Sequence, residues 1–216
     1  MYFMFYTWIF LYMIYNSVVP RCYEKNTHII ASNWLAITKS ILFISLGIGA
    51  SVTNKEFVYN TSFDILISYN IWSTIKIVLK NHNIQWFRLF KRTADLIMFL
   101  YIKTLISPST QLYSMLLVIE FSNLLLLKKV HVDITNIGMD PVPFKKRFCN
   151  AFNILLGYSF LRGPLLSLIY FKLITNISIP CKIYCLLLYL GGFYKIFNMY
   201  KLHVKNKKRL ILMTHS

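Results

Sequence analysis

Long apolar stretches, rather than alternating positions or a one-sided stripe, dominate this chain. Runs with few charges cover residues 2–19, 34–52, 63–79, 93–106, 112–127, 148–174 and 181–200. Most approach the roughly 20 residues that a helix needs to cross a hydrocarbon core about 30 Å thick. A helix that is apolar on every side is either buried or in a membrane. The pattern therefore predicts a bundle of about six to seven transmembrane helices. The run 93–106 is short for a span, and extending it back through residues 86–90 brings in Arg88, Lys91 and Arg92, which can snorkel to an interface.

The connections between the runs differ in charge. Basic ones hold Arg21 and Lys25, then Lys80, Arg88, Lys91 and Arg92, then Lys128, Lys129, Lys145, Lys146 and Arg147, and finally Lys201, Lys205, Lys207, Lys208 and Arg209. They alternate with residues 53–62, 107–111 and 175–180, which together carry one lysine and one glutamate. Short cytoplasmic loops are rich in Lys and Arg, so the alternation predicts a lumenal N-terminus and a cytosolic C-terminal tail. The acceptor patterns Asn60-Thr-Ser and Asn176-Ile-Ser both fall in connections assigned to the lumen. The first run lacks a positive n-region and a small-residue cleavage site before Pro20-Arg21, so it reads as a retained anchor rather than a signal peptide. Gly138, Asp140-Pro141 and Pro143 make residues 128–147 a loop with turns. The plan is an N-terminal anchor and short loop over 1–33, a multi-span membrane domain over 34–208 and a cytosolic tail over 209–216.

Composition narrows the class further. Hydrophobic residues make up 56% of the 216 and charged residues only 14%, against about 25% charged in a soluble domain; mean hydropathy is +0.53. The fold class predicted is an all-α integral membrane protein with no room for a sizeable soluble domain. A net charge of +17 would point to nucleic acid in a soluble protein. Here the basic residues cluster between apolar runs, as cytoplasmic loops facing anionic lipid do, and no nucleic-acid partner is expected.

Chemistry is to be sought among the polar residues inside the runs. Glu120 interrupts LYSMLLVIEFSNLLLL, where a carboxyl facing lipid costs on the order of 3 kcal/mol. Asn150 and Arg162 stand in the next run, so an acid and a base in consecutive spans define a polar interior. Asn33, Lys39, Asp64, Lys76, Asp95, Lys103, Lys182 and Lys195 lie closer to run ends and can snorkel or cap. Cys181 and Cys185 share a helix face as packing residues. The five histidines, His28, His82, His131, His203 and His215, are not spaced for a metal or for paired acid–base work. Gly47-Ile-Gly49 lacks the rest of a dinucleotide fingerprint and reads as close helix packing, and Gly191-Gly192 as a tight contact or a bend. No cofactor is implied.

Several of these residues, in order, resemble the TLC domain family, which includes ceramide synthases and translocating-chain-associated membrane proteins. Glu120-Phe-Ser122 followed by leucines and Lys128-Lys129 is similar to the family's Glu-x-Ser element. Asn150-Ala, Phe160-Leu-Arg162 with Pro164, Gly192-Phe-Tyr194-Lys195-Ile before a basic tail, and Ser68-Tyr69-Asn-Ile-Trp resemble further elements over about residues 34–208. The resemblance implies a TLC-like bundle whose cavity for a membrane lipid is lined by Tyr69, Glu120, Ser122, Asn123, Asn150, Phe160, Arg162 and Tyr194. Catalytic members carry two adjacent histidines where this chain has Lys91-Arg92; the family's Tyr-x-x-x-Asp reads Tyr69 to Ser73, and an early histidine corresponds to Lys39. Without a group titrating near neutrality, general-base acyl transfer is not expected, so no catalytic residue is assigned. The expectation is a non-catalytic lipid-binding or lipid-sensing protein of an endoplasmic-reticulum-like membrane. The alternatives are an acyltransferase with a substituted base, Asp95 or Glu120, and a cargo- or translocon-associated factor that meets a membrane-protein partner through residues 128–147 and the tail.

Overall fold

The computed structural model describes residues 2–19, 27–53, 56–80, 86–104, 110–135, 144–173, 175 and 177–214, and among these the regular structure is entirely helical. The helices are α1 (Tyr2–Val18), α2 (Thr27–Thr53), α3 (Glu56–Lys80), α4 (Trp86–Thr104), α5 (Thr110–Thr135), α6 (Phe144–Phe160), α7 (Leu166–Leu173) and α8 (Ile179–Thr214). A π-helical turn, Leu161–Leu165, joins α6 to α7 without a break. Three stretches among the described residues, Thr27–Ala50, Cys149–Lys172 and Ile179–Lys201, are long and apolar enough to cross a membrane; α1 and α5 contain shorter apolar stretches, Phe3–Val18 and Leu112–Leu127. Large apolar side chains stand on the outside, among them Phe3, Leu79, Leu168, Phe171 and Leu187. Water penalises such a surface and hydrocarbon does not.

The helices outrun the apolar stretches because polar residues continue a helix wherever nothing breaks it. Glu56, favourable in a first turn, opens α3, so Asn60 stands in a helix and the Thr61 hydroxyl bonds the Phe57 carbonyl at 2.8 Å. The lumenal loop expected over 53–62 is thereby corrected to a short connection; Asn176 lies outside the described residues. Residues 128–135 are likewise the end of α5, and 144–147 the start of α6, where a turn-rich loop was expected. The tail from 209 onward is helical as far as Thr214.

The chain divides into two compact units within α5, between Tyr113 and Ser114. In the first, α1, α2 and α3 pack around Trp8, Leu35, Ile65, Tyr69 and Trp72, and α4 lies against α3. The Trp8 indole donates to Ser68 Oγ at 2.9 Å, so the one polar atom of this large side chain is satisfied in the core. At the other end of the unit Tyr113 donates to Ser62 Oγ at 2.8 Å and lies against Phe43, Tyr59 and Phe63.

In the second unit α6 and α8 run antiparallel, as the pairs Phe152–His203, Arg162–Gly192 and Ser167–Tyr189 show. The rest of α5 runs antiparallel to α6, through Ser122–Arg162 and Leu125–Gly157. Cys181 and Cys185 are buried, free thiols in α8. Tyr158, Arg162, Leu166 and Tyr170 are all buried, each four residues from the last. An α-helix drifts by about 40° over four residues, so such a stripe would wander. The π turn, in which the Leu166 amide reaches the Leu161 carbonyl five residues back, absorbs that drift. Pro164 sits in this turn, where its missing N–H and its ring disfavour a regular α-helical bond.

Candidate functional site

Two polar clusters stand out, one in each unit. In the second unit Arg162, 4% exposed, is held by α5. Its Nε donates to Ser122 Oγ at 2.5 Å, and its Nη2 to Asn123 Oδ1 at 3.1 Å and to the Ile119 carbonyl at 3.5 Å. Ser122 in turn donates to the same carbonyl at 2.7 Å. Glu120, also buried, and the rings of Tyr158 and Tyr184 lie within electrostatic reach of the guanidinium. The aliphatic stem of Arg162 lies on α8 at Gly192, where a Cβ would come within 3.3 Å of Cδ, whereas one at Gly191 would meet nothing within 4 Å. The tight contact expected of this glycine pair thus belongs to Gly192. Glu120, Ser122, Asn123 and Arg162 come together as polar packing among helices, with donors matched to acceptors as a buried charge requires.

The other expected cavity residues are placed differently. Phe160 and Tyr194 are 61% and 69% exposed. Each stands two residues, about 200° of helix, from a buried neighbour, Arg162 and Gly192 respectively, and so projects from the opposite face. Asn150 is exposed near the start of α6. These three stand at outward positions, while Leu155, Tyr158 and Arg162 are buried. Tyr69 belongs to the first unit and lines a cavity there.

That cavity has a volume of about 550 Å³ and lies among the start of α2, the end of α3 and the start of α4. Tyr69, Trp72, Ile29 and Ile77 form its apolar wall; Ser32, Ser73 and His28 add polar groups, and Lys76, Lys91 and Arg92 supply three cations. Lys76 donates to Ser32 Oγ and stands over the rings of Tyr12, at 4.1 Å, and Trp72, at 5.0 Å. Arg92 donates to Asn70 Oδ1 at 3.0 Å and lies 5.9 Å from the Tyr69 ring centre, and Lys39 stands 5.3 Å from that same ring. Lys91 is paired with Asp95 at 3.2 Å, one turn further along α4.

From the sequence, Lys76 stands at a run end where it can snorkel or cap, and Lys91 and Arg92 belong to a basic connection at the position of the resembling family's paired histidines. The structure gathers them because α2 and α3, and then α3 and α4, are antiparallel neighbours, which brings the start of α2, the end of α3 and the start of α4 together. The signal present in the sequence was their interleaving with Tyr69, Trp72 and Ser73. At the opposite end of the α3–α4 pair, Asp64 and Lys103, also expected to snorkel or cap, meet at 2.5 Å.

No family model, no curated protein and no solved structure matches this chain.

Proposed function

We propose that this chain is a multi-pass membrane protein of six or seven spans, of TLC type, that holds a membrane lipid without transforming it. The observation that carries the reading is the cavity of about 550 Å³ in the first unit, a size typical of small-molecule sites, with its wall of Tyr69, Trp72, Ile29 and Ile77 beside polar groups. Apolar walls suit the lipid body, and the polar side suits a headgroup.

Lys91 and Arg92, which stand where the resembling family's catalytic members have paired histidines, line this same cavity. Neither side chain offers the imidazole with which such members would take a proton from an amine nucleophile. The candidate substitute bases are also engaged: Asp95 holds Lys91, and Glu120 is buried near Arg162. A binding or sensing role in lipid homeostasis of an endoplasmic-reticulum-like membrane is therefore preferred to acyl transfer. The alternative, a cargo- or translocon-associated role, draws support from the antiparallel α6–α8 pair. It runs the basic start of α6 and the basic end of α8 to one end of the second unit, a surface suited to a membrane-protein partner.

The test is purification in mild detergent followed by lipid extraction, with an assay for transfer of an acyl group from acyl-CoA to a sphingoid base. Lipid should survive chromatography and turnover should stay at the level of a Glu120→Gln control. Since general-base catalysis contributes about two to four orders of magnitude, turnover well above that control would overturn the non-catalytic reading.

A further inference from the structure

We propose that the end of the second unit where α6 begins and α8 leaves the membrane holds the headgroup of a multiply phosphorylated lipid. The inference goes beyond the cavity of the first unit and concerns a separate surface. It starts from helix register. Phe152 meets His203, Arg162 meets Gly192 and Ser167 meets Tyr189 along the antiparallel pair. Five positions back from Phe152 and five on from His203, Arg147 stands level with Lys208; one position further, Lys146 stands level with Arg209. The runs Lys145-Lys146-Arg147 and Lys207-Lys208-Arg209 thus occupy one level of neighbouring helices, and no acidic residue occurs in α6, the π turn, α7 or α8. Like charges brought together in this way oppose the packing, and an anion at that level relieves it.

The surplus is a matter of count and does not depend on which side chains pair. Residues 114–216 hold 14 lysines and arginines against three carboxylates, Glu120, Asp133 and Asp140. Glu120 lies near Arg162, away from this end. Most of the positive charge is therefore left for an external anion.

Depth selects a lipid. The stretches apolar enough to cross a membrane begin at Cys149 in α6 and end at Lys201 in α8. At 1.5 Å per residue, the α6 run lies about 3–6 Å and the α8 run about 9–12 Å beyond those points, against a headgroup layer of about 5–8 Å on each side of the hydrocarbon. The cations begin at the level of the first lipid phosphate and continue past it, so a headgroup carrying further phosphates reaches the outer ones. Lys201 and Lys207 are exposed, and the Lys201 ammonium stands 4.4 Å from the centre of the Phe197 ring, at the border of the apolar stretch. Clusters of about four to eight lysines and arginines next to a span suit anionic and phosphoinositide headgroups.

Full-length protein is to be placed in nanodiscs of phosphatidylcholine doped with phosphatidylserine or with phosphatidylinositol bisphosphate at matched total charge, and the lipid retained on release read by native mass spectrometry. The bisphosphate lipid should be retained in preference to phosphatidylserine. Lys145→Gln/Lys146→Gln on α6 and Lys207→Gln/Lys208→Gln on α8 should each weaken that preference about tenfold or more, because both helices contribute. Lys172→Gln/Lys182→Gln, an equal loss of charge at the other end of the α7–α8 pair, should leave it unchanged. Equal retention of the two lipids in wild type and variants would overturn the headgroup site and leave attraction to any anionic leaflet. An equal loss in the Lys172→Gln/Lys182→Gln variant would overturn its location. Capture of soluble inositol trisphosphate as strongly as of the lipid would overturn the lipid source. Indifference to every lipid, with the α6 and α8 variants losing a membrane protein that co-purifies with wild type, would overturn it in favour of a protein partner.

Discussion

At the scale of single residues, Arg162 illustrates how a membrane-depth charge is accommodated. Its guanidinium reaches Ser122, Asn123 and the Ile119 carbonyl with a planar fork of donors, while its stem fits where Gly192 leaves space. A lysine carries the same charge on one compact ammonium, whose donors diverge from a single nitrogen and do not reproduce the planar fork by which Nε and Nη2 reach separate acceptors. Arg162→Lys should therefore lower stability by about 1–3 kcal/mol, read as a shift in thermal unfolding in detergent. An unshifted transition would mean that these hydrogen bonds contribute nothing net. Arg162 and Glu120 were legible in the sequence because any charge inside an apolar run demands partners. Their particular partners were not, since Ser122 and Asn123 are ordinary helix residues until α6 is laid beside α5.

At the scale of elements, α3 and α4 are an antiparallel pair joined by Asp64–Lys103 at one end and by Arg92–Asn70 at the other. The Asp64–Lys103 pair is partly shielded from solvent, so each charge depends on the other more than a surface pair would. Asp64→Lys or Lys103→Asp alone should destabilise the protein by about 1–3 kcal/mol, and the exchange of both residues should recover more than half of that loss. Failure of the double exchange to recover stability would show that the α3–α4 contact does not depend on this pair. Of the charged residues in the 19-residue α4, Arg92 and Lys103 meet partners on α3, and Lys91 meets Asp95 one turn further along. Hydrophobic run length alone made it the weakest span, because the charges that neighbours satisfy look from the sequence like interruptions.

At the scale of the whole molecule, α8 is 36 residues, about 54 Å at 1.5 Å per residue, longer than a hydrocarbon core of about 30 Å. Its apolar part ends at Lys201, so the proposed layout carries the basic end of the helix out of the membrane together with the basic start of α6. A layout with seven crossings, as proposed, would put the two termini on opposite sides. A glycosylation acceptor appended to the N-terminus should be modified and one appended to the C-terminus should not. The reverse pattern would invert the orientation, and modification at both ends would require an even number of spans.

Local composition was enough to establish that the chain is helical and apolar and that Glu120 and Arg162 need polar company. These follow from local composition and from the free energy of placing a charge in an apolar run, which need no knowledge of neighbours. Only the tertiary structure decided that Phe160 and Tyr194 point outward, that a π turn keeps Tyr158, Arg162, Leu166 and Tyr170 on one stripe, and that Lys76, Lys91 and Arg92 border one cavity. Each of these depends on helix register and on which antiparallel neighbour lies alongside. A run apolar on every side carries no hydrophobic face by which the sequence could reveal that register.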